Sequence, residues 1–172
     1  MSPYAPFKVF KVCPKCGSKH FAQKDAKSLL CADCGFTFYI NMSAAVVALI
    51  WNNKNELLFT TRKYDPAKGM LDLPGGFVDL HESAEDAVKR EIKEELNLQV
   101  KELSFVASFP NTYIFNGIEY YTLDLVFSCK VDDFNNLQPM DDVCAYSFLA
   151  PENIDVKKIG FESIKNVVES LR

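Results

Sequence analysis

The sequence predicts an α/β fold with a small cysteine-rich module in front of it. Segments with strand-like and helix-like patterns alternate between residues 41 and 172, which is typical of layered α/β domains. Neither internal repeats nor low-complexity tracts interrupt that alternation. Four of the six cysteines, in contrast, lie within the first 40 residues of the 172-residue chain. We therefore predict two domains, residues 1–40 and residues 41–172.

Composition and charge exclude several classes of protein. With 48% hydrophobic and 24% charged residues, the chain is typical of globular proteins. Its longest apolar run, residues 44–51, is far shorter than the roughly 20 residues that span a bilayer. Residues 1–11 lack the apolar core of a signal peptide, so we expect a soluble, cytoplasmic protein without membrane contact. The basic residues 1–40 and the acidic remainder argue against a nucleic-acid coat.

Two Cys-x-x-Cys pairs are the clearest motif of the first domain. Each pair can fold two thiolates onto one ion, and Zn²⁺ prefers four such ligands at tetrahedral corners. Gly17 and Gly35 follow the two pairs, where tight turns favour residues that tolerate positive φ. The spacing predicts a zinc ribbon, with two reduced or disulfide-bonded pairs as the alternative. The predicted ligands of the structural Zn²⁺ are Cys13, Cys16, Cys31 and Cys34.

The other residues of this kind receive simpler interpretations. His20 is predicted to be a surface residue, because four cysteines already saturate the ion. Cys129 and Cys144 lie in apolar, strand-like stretches and are predicted to be buried thiols. The ribbon itself has three open roles: binding nucleic acid, bracing the next domain, or a homodimer contact. We favour the last two, because the aromatic residues 36–40 lead directly into the next strand.

Residues 44–51 open the second domain as a buried strand rich in β-branched and aromatic side chains. The turn-forming residues 52–55 then connect it to a second strand, residues 56–61, which predicts a hairpin. Further strands are predicted at residues 103–109, 120–131 and 145–149. Residues 161–171 are predicted to form the last helix, with one apolar face that contains Ile164, Val167, Val168 and Leu171.

A helix is predicted most clearly for residues 83–96. Ser83 is a candidate N-cap, with Asp86 three residues later as in a capping box. The inward stripe comprises Ala84, Val88, Ile92 and Leu96 at i, i+4 spacing, widened by Ala87.

A separate face of this helix carries Glu91, Glu94 and Glu95, and Glu82 lies just before the helix. Like charges at i, i+3 and i, i+4 repel by roughly 0.2–0.5 kcal/mol per pair. Carboxylates near a helix C-terminus also oppose the helix dipole, so stability alone does not explain the cluster. A solvated acidic face is the simple interpretation. A site for Mg²⁺, which prefers carboxylate, water and phosphate oxygens, is the functional one.

The surrounding residues favour the functional interpretation. Residues 76–98 follow the pattern Gly-x5-Glu-x7-Arg-Glu-Ile-x-Glu-Glu-x-Asn-Leu. This pattern resembles the Nudix box, Gly-x5-Glu-x7-Arg-Glu-(apolar)-x-Glu-Glu-x-Gly-(apolar), at every position except Asn97. Asn tolerates a left-handed backbone best after Gly, so the helix end stays compatible with the motif. The preceding residues 73–76, Leu-Pro-Gly-Gly, are also typical of the family.

The resemblance implies an α/β/α sandwich with a mixed sheet and a pyrophosphohydrolase activity. It implies that Glu91, Glu94 and Glu95 bind Mg²⁺ or Mn²⁺, and that one of them or Glu82 orients or deprotonates water. Arg90 would pair with a glutamate and hold it in place.

Other residues of the implied site lie outside the helix. Gly75 and Gly76 would let the backbone approach the metal or phosphate. A further acid from a later loop joins the site in many relatives. Asp142 is the first candidate for this position, and Asp141 and Glu119 compete with it.

The implied substrate is a nucleotide with a diphosphate bond. A zinc ribbon before a Nudix domain resembles the NADH pyrophosphatase branch, whose Ser-Gln-Pro-Trp motif is matched here only by Ser108 and Pro110. NADH, NAD and ADP-ribose therefore remain open. Tyr113 is a candidate for stacking on a base or for simple packing. Arg62 is a candidate phosphate contact or a strand-end surface charge.

A rival function belongs to a different class. The chain could be a regulatory protein that binds nucleotide or RNA through the ribbon and a Nudix scaffold, because a fold does not imply activity. The intact Glu91, Glu94 and Glu95 favour the enzyme, and no motif specifically supports RNA as a partner.

Overall fold

The computed structural model describes residues 2–172, which cluster into two compact units. The first unit comprises the described part of residues 1–42 together with Thr112–Tyr121. The second unit comprises Ser43–Asn111 and Thr122–Arg172.

The first unit is built on a three-stranded antiparallel sheet. A short helix, α1 (Pro6–Val9), precedes strands β1 (Phe21–Asp25), β2 (Ser28–Cys31) and β3 (Thr37–Tyr39), which lie in the order β1-β2-β3. Glu119 N–H donates to the Tyr4 carbonyl oxygen at 2.9 Å, which ties residues 112–121 to the N-terminal segment. The core of this unit contains only four buried residues, Cys13, Phe21, Leu29 and Cys31.

Strands β4 to β10 and two helices form the rest of the fold. The strands are β4 (Ser43–Leu49), β5 (Leu57–Arg62), β6 (Leu71–Asp72), β7 (Gly75–Phe77), β8 (Val100–Phe115), β9 (Ile118–Val131) and β10 (Val143–Leu149). The helices are α2 (Ala84–Leu96) and α3 (Glu162–Ser170), with two short 3₁₀ helices at Pro151–Asn153 and Val156–Lys158. One sheet has the order β10-β5-β6 and the other β7-β4-β9-β8. Because β4 pairs parallel with β9 and antiparallel with β7, the second sheet is mixed.

The second half of β4, residues 46–49, is buried on both faces of its sheet. Along β4, Val46 and Ala48 pack into the cluster that includes Val88, Ile92 and Leu96 of α2. Val47 and Leu49, which point the other way because side chains alternate along a strand, pack with Ile164, Val167 and Val168 of α3. Strand β4 therefore lies between one helix on each side, and the predicted α/β fold with a mixed sheet is confirmed.

The predicted hairpin of residues 44–61 forms only beside its turn. There Trp51 bridges Leu57, the Asn52 N–H donates to the Glu56 carbonyl oxygen at 2.9 Å, and the Leu58 N–H donates to the Ile50 carbonyl oxygen at 2.9 Å. Beyond that bridge the two strands separate, because β4 pairs with β7 and β9 whereas β5 pairs with β6 and β10. Alternation along one strand indicates burial but does not identify the partner strand.

Two further differences concern β8 and a cysteine. β8 is longer than the predicted residues 103–109, and Asn116 and Gly117, at φ 49° and 75°, connect it to β9. Asn-Gly is the preferred pair for a two-residue hairpin turn. Cys129 is buried, as predicted, and burial raises its pKa to about 12. The prediction for Cys144 is wrong, since this side chain is exposed on β10.

No helix among residues 2–172 is both long enough and apolar enough to cross a membrane.

Candidate functional site

Helix α2 carries the acidic motif and is capped at both ends. Ser83 Oγ accepts a hydrogen bond from the Asp86 N–H at 3.2 Å, which satisfies one free donor of the first turn. At the other end Asn97 adopts the left-handed conformation, with φ 55° and ψ 29°. Both the predicted N-cap and the compatibility of Asn97 with the helix end are confirmed.

Glu95 is the most buried acid of the helix, with an exposed fraction of 5%. Its Oε2 accepts a hydrogen bond from the Gly75 N–H at 3.0 Å. Burial raises the pKa of this carboxyl well above its usual value, the Gly75 N–H opposes the shift, and the charges of Asp142, Glu91 and Asp72 add to it. A buried carboxylate with three acidic neighbours favours a cation close to it.

The implied turn at Gly75 and Gly76 is instead the start of β7, which brings backbone close to Glu91 and Glu95. At Gly75 the φ of 146° is accessible almost only to glycine, and an added Cβ would collide with the Val46 carbonyl oxygen. At Gly76 an added Cβ would lie 2.5 Å from Glu91 Oε1. Because Gly75 and Gly76 have no side chains, Glu91 and Glu95 can lie next to the backbone of β7.

Glu91 and Glu82 are held by a single guanidinium. Arg90 Nη1 donates to Glu91 Oε1 at 2.8 Å, while Nε and Nη2 each donate to one oxygen of Glu82 at 2.9 Å. The arginine hydrogen bond lowers the pKa of Glu82. For Glu91 burial raises the pKa, Arg90 opposes the shift, and Glu94 and Asp142 add to it. Arg90 therefore contacts Glu82, which lies just before α2, and Glu91, which lies within it.

Glu94 is the most accessible of the motif glutamates, with a side chain 49% exposed. It accepts a hydrogen bond from Arg90 Nη1 at 3.1 Å, and Arg90 Nη2 also donates to the Phe77 carbonyl oxygen at 3.0 Å. The structure therefore gathers Glu82, Glu91 and Glu94 around Arg90, whereas Glu95 faces the Gly75 N–H instead.

Of the three candidate loop acids, Asp142 is the one whose charge acts on the glutamates. It raises the pKa of both Glu91 and Glu95. The loop before it is tied to the end of α2, because Met140 N–H donates to the Glu95 carbonyl oxygen at 2.8 Å. The Asp141 carbonyl oxygen accepts a hydrogen bond from Lys63 Nζ at 3.1 Å. Glu119 lies in the first unit and accepts a hydrogen bond from the Tyr121 hydroxyl at 2.7 Å.

Arg62 ends β5, but its side chain is mostly buried and makes contacts within the protein. Its side chain is 22% exposed, and Nη1 lies 3.0 Å from Asp72 Oδ2. Nε donates to the Pro66 carbonyl oxygen at 2.7 Å, and the guanidinium lies 5.0 Å from the centre of the Phe161 ring. The surface-charge interpretation is therefore wrong, and the phosphate contact stays a prediction.

Tyr113 lies in the first unit, where its ring stacks on Tyr120. The two ring centres are 5.8 Å apart and the planes differ by 13°. Phe115 also lies against Tyr120, with the ring centres 6.4 Å apart. Packing between aromatic side chains is therefore present, and stacking of Tyr113 on a base stays a prediction.

The four N-terminal cysteines form a closed set. Their Sγ atoms all lie within 4.8 Å of one another. Two of the separations are 3.8 Å, between Cys13 and Cys34, and 3.6 Å, between Cys16 and Cys31. A tetrahedral zinc with Zn–S bonds of about 2.3 Å requires S–S separations of about 3.8 Å, so this geometry fits the ion. Gly17 and Gly35 have φ of 76° and 69°, as the turns after each pair require.

The surroundings of the thiols also fit a metal. Burial opposes ionisation of Cys31, but hydrogen bonds from the backbone of Cys34 and Asp33 and from the Cys16 thiol lower its pKa. At Cys16 a backbone hydrogen bond opposes the change, but the neighbouring thiols raise the pKa, so the metal-free set holds a shared proton that a cation would displace. A thiolate is the form that binds zinc. His20 is exposed, as predicted, and its Nδ1 lies 3.0 Å from Asp33 Oδ1. Among residues 2–172 no other group of three or more His, Cys, Asp or Glu residues is drawn together this closely.

The model of the NUDIX domain matches residues 42–171 of this sequence. The chain belongs to the NUDIX domain family. The matched span covers the whole α2 motif and every strand from β4 to β10. Members of this family generally use divalent metal ions, and the predicted family is confirmed.

Two curated relatives of this NUDIX protein carry different names. An NAD-capped RNA hydrolase NudC of Haemophilus influenzae is 30% identical over 120 residues, which cover 66% of this chain and 45% of that protein. An ADP-ribose pyrophosphatase of Methanocaldococcus jannaschii is 33% identical over 139 residues, which cover 80% of this chain and 78% of that protein. The chain spans about half the length of the NAD-capped RNA hydrolases that it matches.

Solved structures agree on the fold. The MutT NUDIX hydrolase from Burkholderia pseudomallei superposes with a TM-score of 0.64 at 22% identity, covering 77% of this chain and 99% of that chain. A NUDIX hydrolase from Nitrosomonas europaea superposes with a TM-score of 0.66 at 21% identity, covering 91% of this chain and 87% of that chain.

Sequence analysis missed a second group of buried polar side chains. Asp72 and Asp124 are both buried in the second unit. Asp124 accepts hydrogen bonds from the hydroxyls of Thr122 and Ser163, at 2.7 and 2.5 Å. The only sequence signal for Asp72 is an acid inside the apolar stretch before the two glycines, and isolated acids are usually exposed.

Proposed function

We propose that this protein hydrolyses a diphosphate bond in a nucleoside diphosphate derivative, of the NADH/NAD or ADP-ribose type, with Mg²⁺ or Mn²⁺. The observation that carries the proposal is the arrangement of Glu91, Glu95 and Asp142. Burial and their mutual charges raise the pKa of both glutamates, and Arg90 is the cation bonded within this cluster. The set therefore has an excess of negative charge next to Gly75 and Gly76 of β7.

The kind of ligand fits magnesium or manganese. These are hard ions that take carboxylate oxygens, water and substrate phosphate rather than a closed protein cage. The glutamate oxygens do not form a closed set, unlike the cysteine thiols. An incomplete set leaves coordination positions for the phosphates of a substrate. The proposed ligands are Glu91, Glu94 and Glu95, with Asp142 as the further acid.

When bound, divalent ions neutralise the diphosphate oxygens and lower the pKa of bound water. The residues of the chain do the remaining work. Arg90 fixes Glu91 and Glu94, and Gly75 N–H fixes Glu95, so that three carboxylates are oriented before substrate arrives. A water molecule then attacks one phosphorus and the other phosphate leaves.

Glu82 takes a positioning role in this scheme. Both of its oxygens accept hydrogen bonds from Arg90, and Oε2 also accepts from the Asp79 N–H at 3.0 Å. A carboxylate engaged in this way anchors the guanidinium, and the lowered pKa makes it a weaker base for the water. We therefore assign the orientation or deprotonation of water to Glu91, Glu94 or Glu95.

The substrate class rests on chemistry and on the relatives. The two curated relatives are named for NAD-capped RNA and for ADP-ribose, which both contain a diphosphate joined to adenosine. We propose that this linkage is what the site accepts.

The four cysteines are proposed to bind one structural Zn²⁺. Residues 1–40 are proposed to form a zinc ribbon and residues 41–172 the hydrolase domain. The separation of the thiols supports the zinc proposal, as does their position in the small core of the first unit.

The test is a hydrolysis screen with identification of the products. NADH, NAD⁺, ADP-ribose, nucleoside triphosphates and sugar nucleotides would each be incubated with the protein, with and without Mg²⁺. We expect Mg²⁺-dependent cleavage of NADH or ADP-ribose into two monophosphates, and little cleavage of sugar nucleotides that lack adenosine. Glu94→Gln should abolish it, and Glu85→Gln, which changes an exposed glutamate of the same helix, should not. Equal turnover in wild type and Glu94→Gln would reject the proposed site.

The regulatory alternative predicts a different pattern. A nucleotide- or RNA-binding protein would show no turnover, together with an RNA affinity that falls steeply with salt. The lysines of the first unit favour that behaviour, whereas the buried acids of the second unit favour the enzyme.

A further inference from the structure

The ion pair between Arg62 and Asp72 lies in the interior of the second unit. Arg62 ends β5 and Asp72 ends β6, and the two strands pair antiparallel. Arg62 Nη1 lies 3.0 Å from Asp72 Oδ2, and the two side chains are only 22% and 11% exposed. A charged pair of this kind is costly to desolvate, and it is weak evidence for stability alone. Asp72 does, however, lie three residues before Gly75, whose N–H donates to Glu95.

The pair is connected to Glu95 by three consecutive residues of backbone. Asp72 Oδ1 accepts a hydrogen bond from the Leu73 N–H at 2.9 Å. The Pro74 carbonyl oxygen accepts from the Ala48 N–H at 2.8 Å, and the Gly75 N–H donates to Glu95 Oε2. Pairing of Gly75 with Val47 of β4 fixes the far end of this segment, and the Leu73 N–H bond to Asp72 fixes its beginning, so the direction of the Gly75 N–H depends on both.

Electrostatic interactions also connect Arg62, Asp72 and Glu95. The negative charge of Asp72 is one of the causes that raise the pKa of Glu95. Burial raises the pKa of Asp72 itself to about 6, and Arg62 opposes that shift. Arg62 has two further internal contacts, with the Pro66 carbonyl oxygen and the Phe161 ring. The guanidinium is therefore fixed in place as the counter-charge of Asp72.

We infer that Arg62 and Asp72 form a positioning pair that orients the Leu73–Gly76 segment and, through the Gly75 N–H, the Glu95 carboxylate. This inference rests on the proposed function, in which Glu95 binds Mg²⁺. It gives Arg62 a role away from the substrate, in place of the phosphate contact that its sequence position suggested. Side chains that hold a metal ligand in place without contacting the metal typically contribute 10- to 100-fold in metal affinity or activity.

The test compares Asp72→Asn with Asp124→Asn. Both changes neutralise a buried acid, but Asp124 accepts hydrogen bonds from the hydroxyls of Thr122 and Ser163 and acts on Asp72 through its charge alone, with no hydrogen bond to the segment. Two quantities are measured for each folded variant. One is the Mg²⁺ concentration for half-maximal hydrolysis of ADP-ribose, together with KM. The other is the hydrogen-exchange rate of the Gly75 amide by NMR.

We expect Asp72→Asn to raise the half-saturating Mg²⁺ concentration roughly 10- to 100-fold. The KM for ADP-ribose should change little, and exchange at Gly75 should accelerate. Asp124→Asn should leave all three near wild type. Equal effects in the two variants, or faster exchange without a changed Mg²⁺ requirement, would overturn the inference.

A second variant covers loss of folding. Asp72→Asn leaves Arg62 without its counter-charge, so it could fail to fold. Arg62→Lys keeps the cation but loses the hydrogen bond to Pro66, and should produce the same changes in smaller degree. Unchanged values in a folded Arg62→Lys would then overturn the inference. If wild type hydrolyses nothing, the proposed function fails, while Gly75 exchange in the same variants still decides whether the pair holds the segment.

Discussion

The cysteine cluster of the first unit and the glutamate cluster of the second differ in their relation to a hydrophobic core. Cys13 and Cys31 are themselves two of the four buried residues in the core of the first unit. The glutamates lie beside two cores of eleven buried residues each, and those cores need no metal. We therefore expect the closed set of thiols to support folding once it binds Zn²⁺, and the open set of carboxylates to be supported by a fold that forms without metal.

The largest expected effect is the loss of the first unit on removal of the Zn²⁺ proposed for it. Binding of zinc to small domains contributes an apparent folding free energy of about 10–16 kcal/mol. Purified protein should contain about one zinc per chain. After the thiols are modified and zinc is chelated, we expect the amide protection of β1–β3 to disappear. The fluorescence transition of Trp51, the single tryptophan, should persist because it reports the second unit.

Two results would contradict the prediction that zinc supports the first unit but not the second. One is metal analysis that finds no zinc, with all four thiols freely reactive. The other is simultaneous loss of the Trp51 transition, which would show that the second unit does not fold independently of the zinc.

The second effect concerns activity rather than folding. Glu94→Gln and Glu95→Gln should each lower kcat at least about 100-fold, the upper end of what is lost when partners of metal ligands are changed. Urea unfolding monitored at Trp51 should show an unchanged midpoint for Glu94→Gln, because Glu94 is half-exposed. Near wild-type rates in both variants would remove the assignment of the site.

The third effect is a pH dependence of stability without added Mg²⁺. Burial raises the pKa of Glu95 well above 4.5, so the folded state keeps a proton that the unfolded chain has lost. The unfolded state therefore binds fewer protons, and the free energy of unfolding falls as pH rises above about 4.5 toward the folded pKa. Glu95→Gln should show a shallower fall in urea unfolding with zinc retained. Equal slopes would contradict the burial of an ionisable Glu95.

The smallest effect is at the end of α2. Asn97 is in the left-handed conformation, which costs residues with an ordinary Cβ about 1–2 kcal/mol. Asn97→Ala should therefore destabilise the second unit by about 1 kcal/mol, and Asn97→Gly by less. Thermal unfolding of both variants measures the difference. A more stable Asn97→Ala variant would contradict the cap.

The parts of the structure that the sequence could predict are those with local causes. The periodicity of residues 83–96, the Ser83 cap and the left-handed Asn97 all act within one helix. The cysteine spacing is similarly local, and the thiols are found together. These features depend on neighbours a few residues away, so one sequence is sufficient to find them.

The parts that could not be predicted depend on distant partners. Strands β4 and β5 have the composition of a hairpin, but each pairs with strands far along the chain. Arg62 has the appearance of a surface charge until the fold places Asp72 beside it. Cys144 occupies an apolar stretch, but it lies where the pairing of β10 with β5 shifts register, and its side chain is exposed. Burial of a single side chain is decided by register, which the sequence does not specify by itself.

The most direct test of the central claim is a crystal of the wild-type protein soaked with Mn²⁺ and ADP-ribose, with anomalous scattering measured for the metal. The proposed function predicts manganese between the carboxylates of Glu91, Glu94 and Glu95 and the diphosphate oxygens. Those side chains turned into solvent, with nucleotide bound and no metal between them and the phosphates, would contradict it.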